Sequence, residues 1–266
     1  MVMIYSNSRL WLYENCPEAY KIKYIDRTFP ELPSSVHAFL GSMVHESLEF
    51  LYNEIKSGKT VELDELVKHF AENWHKQYTL CVRIPVGDKE GDYFNKGVKF
   101  LVDYFQSNKP FSENTIETER KILFPLDENY AIVGYIDRIV LNEKGEYEVH
   151  DYKTNSFLKS QEEIDKDRQL AFYQLGLQAL FDEEIKVKLV WHFLAFDKKI
   201  HSKRTQEQLD KLKEETLELI KKIESTTEWS ACGKAFCDWC SYKKLHGLGK
   251  EESSKKVFTR NGNLSG

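Results

Sequence analysis

Apolar side chains fall at Val36, Phe39, Leu40, Met43, Val44, Leu48, Leu51 and Ile55, the three-and-four spacing that lines one helix face, so 36–56 is predicted helical. The same period returns at 63–80 through Leu63, Leu66, Val67, Phe70 and Trp74, and at 92–107 through Phe94, Val98, Leu101, Val102 and Phe105. Gly87 and Asp88 break the chain between those two. The pattern then changes. Segments 116–124 and 130–141 are rich in β-branched and aromatic residues, as strands are. Asn142-Glu143-Lys144-Gly145 supplies a turn, and 146–154 reads as the returning strand. A helix at about 162–181, a strand at 186–196 and a charged helix at 205–224 follow.

Helices first, then a hairpin, a helix, a strand and a helix describe an α/β layer structure. No internal repeat and no convincing linker interrupts it, so one domain is expected over 1–246, with a helical insertion at about 60–112. Residues 247–266 are Gly-, Ser- and Lys-rich and are expected to form a flexible tail.

Apolar residues make up 41% of the 266 and charged residues 30%, which is globular composition. No apolar run approaches the roughly 20 residues that cross a bilayer, and the opening residues lack a basic segment followed by an apolar one. A soluble, cytoplasmic protein without a membrane partner is expected. The net charge of −5 does not advertise a nucleic-acid binder, although a phosphate backbone responds to the local field. Basic residues gather late, at Lys198, Lys199, Lys203 and Arg204 and again at Lys243, Lys244, Lys250, Lys255, Lys256 and Arg260. On charge alone these read as solvated surface and tail.

Chemistry enters with three residues. Asp151 and Lys153 are two apart on a predicted strand, so both point to one face, and Asp137 lies on the partner strand. Two carboxylates brought together across a hairpin repel unless a cation sits between them, and hard oxygen ligands suit Mg²⁺ or Mn²⁺. A lysine beside them can orient an attacking water and balance phosphate charge. Without further context, an Asp-x-Lys more often forms an exposed ion pair worth about 0–1 kcal/mol.

The context is five segments in order: Ser8-Arg9-Leu10 leading to Cys16-Pro17-Glu18-Ala19-Tyr20-Lys21; Gly41-Ser42-Met43-Val44-His45-Glu46-Ser47-Leu48-Glu49; Gly134-Tyr135-Ile136-Asp137-Arg138; Asp151-Tyr152-Lys153-Thr154; and Gln169-Leu170-Ala171-Phe172-Tyr173. In that order and spacing the chain resembles the RecB/AddB/Cas4-like branch of the PD-(D/E)XK nuclease superfamily, over about residues 6–246. The resemblance implies a restriction-endonuclease-like core, a central mixed sheet flanked by helices. It implies His45, Asp137, Asp151 and the Tyr152 carbonyl as metal ligands, with Gly41 leaving room beside His45. Lys153 becomes the catalytic lysine beside Asp137 and Asp151. Gln169 and Tyr173, on one helix face, would hold DNA and site, with Arg138 as support or as the partner of a nearby carboxylate. Glu119 is a further candidate. His37, His69 and His75 read as surface or packing residues.

Three of the five cysteines, Cys232, Cys237 and Cys240, lie within nine residues, and Cys237-x-x-Cys240 suits one metal centre. Family members join an early Cys-Pro cysteine, here Cys16, to a late C-x2-C-x5-C set around a [4Fe–4S] cluster. Here the last of those positions is His246. Three thiolates with His246 or Cys232 would hold iron–sulfur or zinc, tying the C-terminal segment to the first helix; otherwise the thiols pack as small apolar groups. Cys81 matches nothing.

The leading expectation is a Mg²⁺- or Mn²⁺-dependent DNA exonuclease of recombination, repair or phage DNA processing. With no Gly-x-x-x-x-Gly-Lys-Ser/Thr loop, unwinding would fall to a partner helicase or recombination protein. The alternatives are an inactive nucleic-acid-binding module of the same fold and a structural metalloprotein built on the cysteines.

Overall fold

A computed structural model describes residues 2–30, 34–78, 82–181, 184–234 and 237–246. In chain order the elements open with β1 (Met3–Ser6), α1 (Asn7–Asn15), α2 (Pro17–Tyr20), α3 (Val36–Lys56), α4 (Leu63–Gln77) and α5 (Glu90–Asn108). There follow β2 (Thr115–Pro125), β3 (Tyr130–Leu141), β4 (Tyr147–Lys153), α6 (Gln161–Asp165), α7 (Arg168–Leu180), β5 (Val187–Phe193), β6 (Lys198–Ser202), α8 (Gln206–Ser225) and α9 (Asp238–Leu245). Contacts divide the chain into two compact units, one of residues 1–11 and 31–226, the other of 12–30 and 227–266.

The first unit is a mixed sheet with flanking helices. Strands run in the order β1-β3-β4-β5-β6, with β2 on the other edge of β3. β2 and β4 are antiparallel to β3, β1 is parallel to it, and β5 is parallel to β4. The turn between β3 and β4 closes as its sequence predicts: the Asn142 side chain accepts from the Lys144 and Glu146 amides. α3 buries the apolar positions read from its period, from Val36 to Leu51, against α4 and α5. Burying each such Leu or Phe contributes roughly 1.5–3 kcal/mol, so α3 is a firm support for any side chain it carries. The Ser35 hydroxyl caps its start by accepting from the Ala38 amide.

Three sequence expectations change. The helix expected over 162–181 is two helices. Asp167 accepts from the Gln169 amide and restarts the chain as the N-cap of α7, while Arg204 donates to the carbonyls of Ile164 and Asp167 at the corner. Arg204 is therefore a structural clamp rather than solvated surface. Lys198 and Lys199, read only as part of a basic group, lie on β6, where Ile200 and Ser202 turn inward and the lysines outward. The strand expected to 196 stops at Phe193 and ends in a short 3₁₀ turn, Leu194–Phe196. β1, four residues long, carried no readable period.

In the second unit α2 runs on as a π-helical turn, Lys21–Ile25, and Tyr20 stacks on Trp229 with parallel rings 6.0 Å apart. Cys16, Ala19 and Trp239 form its buried centre. Cys81, Lys250, Lys255, Lys256, Arg260 and the tail expected from 247 lie outside the described residues.

Candidate active site

The site forms where β3 and β4 part. Their ladder ends at Arg138 paired with His150; one step further Asp137 would face Asp151, and there no pairing continues. Asp137 instead accepts the Tyr152 amide proton at 2.8 Å, so its carboxylate lies against β4. Asp151 is buried, and Lys153 on the same face brings its ammonium 2.7 Å from Asp151 Oδ2. α7 completes this side. The Gln169 amide donates to Asp151 Oδ1 at 3.1 Å and to the Tyr173 hydroxyl at 2.9 Å, while its carbonyl accepts from Lys153 at 3.0 Å. The Lys153 ammonium also lies 4.8 Å from the centre of the Trp191 ring, a cation–π contact absent from the sequence reading.

From α3, His45 places Nδ1 3.5 Å from Asp137 and Nε2 2.9 Å from the Tyr152 carbonyl oxygen. Gly41, one turn earlier, lies where a Cβ would come 3.3 Å from the Thr154 hydroxyl, so the helix sits close to β4's end. Glu119, on β2, completes a group: one ligand atom from each of His45, Glu119 and Asp137 lies within 4.8 Å of the other two. Its φ of 46° is a left-handed conformation within a strand.

Crowding sets the electrostatics. Burial, with Asp137 adding to it, raises Asp151 to a pKa of about 6 against the opposing Lys153. Burial and then Asp137 push Glu119 up to about 7. Burial works against a charged His45, but Asp137, Asp151 and the Tyr152 carbonyl outweigh it and hold its pKa at about 9. Lys153 is raised in the same way, burial being overcome by Asp151 and Asp137. Imidazole, carboxylates and a backbone carbonyl are a donor set for Mg²⁺ or Mn²⁺. Asp151 is buried with its two oxygens engaged, Oδ1 by the Gln169 amide and Oδ2 by the Lys153 ammonium.

Two depressions flank these residues. One of about 460 Å³ is lined by Gly41, Ser42, His45, Glu46, Glu49 and Glu119. Another of about 650 Å³ runs past Trp11, Tyr135, Asp137, Gln169 and Tyr173. Arg138 lies in neither; of the two roles read for it, support of DNA and site or pairing with a nearby carboxylate, its geometry matches the second. It follows Asp137 on β3 and therefore projects to the opposite face, where it is 0% exposed. There it pairs with Glu113 at 2.8 Å, donates to His150 Nδ1 at 2.8 Å and covers the Tyr52 ring at 4.0 Å. Tyr52, Tyr104 and Tyr152 join hydroxyls beside it, at 2.6 and 3.2 Å, and His150 contacts His192 at 2.7 Å. His37 and His75 are exposed and His69 half-buried, as surface or packing residues.

In the second unit Cys16, Cys232, Cys237 and Cys240 bring their sulfurs within 4.8 Å of one another. Burial raises the thiols of Cys16 and Cys237. Burial would raise Cys232 too, but the Lys234 amide and the neighbouring thiols lower it. His246 is not in this group; its ring lies 4.2 Å from that of Tyr242.

A model of the PD-(D/E)XK nuclease superfamily matches residues 5–245. Among solved structures, the chain is similar to a "Putative exonuclease" from Eubacterium rectale, at 14% identity and a TM-score of 0.51, over 89% of this chain and 86% of that one. A second, of SSO0001, is 17% identical with a TM-score of 0.26, over 76% of this chain and 84% of that one. Curated proteins offer no match.

Proposed function

We propose that this chain, which belongs to the PD-(D/E)XK nuclease superfamily, is a divalent-metal-dependent deoxyribonuclease that degrades DNA from an end. The observation that carries the reading is the convergence of His45, Glu119 and Asp137, from α3, β2 and β3, beside the Asp151–Lys153 pair of β4, at the point where β3 and β4 separate. His45, Asp137, Asp151 and the Tyr152 carbonyl would hold Mg²⁺ or Mn²⁺, with Glu119 as a further carboxylate. When bound, such an ion polarises a phosphate oxygen and favours deprotonation of water.

The remaining work falls to the chain. Lys153, charged and held by Asp151 and Gln169, offers a fixed positive group for the phosphate oxygens or for the incoming water. Gln169 is itself fixed by Tyr173, so α7 sets the direction of the lysine. Trp11 and Tyr135 are exposed beside the groove that reaches Asp137, and their rings offer stacking surface for unpaired bases. Those aromatic walls, with a structural neighbour described as an exonuclease, favour action on a strand end. Duplex unwinding would come from a partner helicase or recombination protein, which suits roles in recombination, repair or phage DNA processing.

The test compares linear duplex, linear single-stranded and closed circular DNA, labelled at either end, with Mn²⁺ or Mg²⁺ and with EDTA. Metal-dependent release of short products from linear DNA, with circular DNA intact, is expected. Equal cutting of circular DNA would remove the end requirement. Binding without cleavage in either metal would reduce the protein to a nucleic-acid-binding module.

A further inference from the structure

The family resemblance brings with it a [4Fe–4S] cluster at the cysteines, and the four sulfurs are placed too closely for one. A cubane gives each thiolate its own iron at a separate corner, which spreads the sulfurs to on the order of 6 Å apart. All four here lie within 4.8 Å of one another, with Cys16 and Cys240 at 3.9 Å and Cys232 and Cys240 at 3.6 Å. A single tetrahedral ion with metal–sulfur bonds of about 2.3 Å sets its ligands about 3.8 Å apart. The pairs are likewise far from the roughly 2 Å of a disulfide.

The donor set also differs from the family's. His246, at the last position of the expected spacing, lies outside the sulfur group with its ring 4.2 Å from that of Tyr242, and Cys232 takes the fourth place. Gly233 beside it has a φ of 67°, a conformation glycine adopts without strain. Around the sulfurs, Trp239 donates to Glu18 at 2.8 Å and Lys243 pairs with the same carboxylate at 2.7 Å. The two chain segments that supply the cysteines are thus already held together by their side chains.

We propose that Cys16, Cys232, Cys237 and Cys240 form a structural zinc site of four thiolates, in place of an iron–sulfur cluster. Binding releases the thiol protons to solvent and involves no redox change. The site makes no use of the nuclease residues, so it stands or falls separately from the proposed activity.

The experiment is metal and sulfide analysis of the full chain, purified aerobically and anaerobically from cells supplied with both iron and zinc, alongside Cys232→Ser and His246→Ala. About one zinc per chain is expected, with no broad visible absorption. Replacement by cobalt(II) should give the intense visible bands of a tetrahedral tetrathiolate. His246→Ala should keep the zinc and the cobalt spectrum, and Cys232→Ser should lose them or bind at least tenfold more weakly against a chromophoric chelator. Iron with acid-labile sulfide, zinc lost in His246→Ala but kept in Cys232→Ser, or a metal-free chain with these cysteines disulfide-linked would each overturn the proposal.

Discussion

Glu119 holds a φ of 46° inside β2, a conformation that costs a residue with a side chain about 1–2 kcal/mol. On the proposed reading, what the strain secures is a third ligand group beside His45 and Asp137. Glu119→Gly should therefore leave metal-free stability unchanged or raise it by about 1 kcal/mol, while lowering cleavage at limiting Mn²⁺ at least tenfold. Urea unfolding of both proteins checks the first half, and a loss of stability greater than the usual cost of a glycine would remove strain from the account. Lys153 is a different case, since its charge is not a ligand. Lys153→Ala should lower the cleavage rate on the order of 10²–10³-fold with metal affinity little changed. A rate within threefold of the parent would deny the lysine its role.

At the scale of elements, the β3–β4 pair has two faces with different duties. Asp137 and the Tyr152 backbone serve the site, while Arg138, His150 and the Tyr152 ring pack behind it with Tyr52 of α3 and Tyr104 of α5. Arg138→Ala removes a wholly buried cation from that polar cluster and should destabilise the chain by roughly 3–5 kcal/mol in urea unfolding. A change below 1 kcal/mol would mean the network contributes little. Much of this architecture was legible. The period of α3 put His45 on a helix, and the hairpin put Asp137 and Asp151 on partner strands. The burial of Arg138 was legible too, since alternation alone places it opposite Asp137. Other features had no pattern to read. Among these are the reversed φ of Glu119, the Asp167 cap that breaks the chain before α7, and the place of Cys232 rather than His246 in the sulfur group. These arise from tertiary placement rather than periodicity.

For the molecule as a whole, the cost of assembling this site depends on pH. His45, Glu119 and Asp151 all have folded-state pKa values raised above those of exposed side chains, to about 9, 7 and 6. A raised group stabilises the fold fully below its unfolded pKa, and that contribution disappears as pH rises through the folded value. Metal-free protein should accordingly lose stability from these groups between about pH 4 and 9. A divalent ion held by these groups, as proposed, would act in the opposite direction, because it must displace the protons they retain. At pH 6 His45 and Glu119 are mostly protonated; at pH 8 Glu119 is ionised and only His45 still has to release its proton. The apparent Mn²⁺ dissociation constant should fall on the order of 10²–10³-fold between those two pH values. At fixed Mn²⁺ the metal-induced rise in Tm should be larger at pH 8 than at pH 6, since 100 times Kd corresponds to about 2.7 kcal/mol of stabilisation. Calorimetry at the two pH values, in buffers of different ionisation enthalpy, also counts the protons released. A pH-independent affinity with no proton release would mean that the ion is not held by His45 and Glu119.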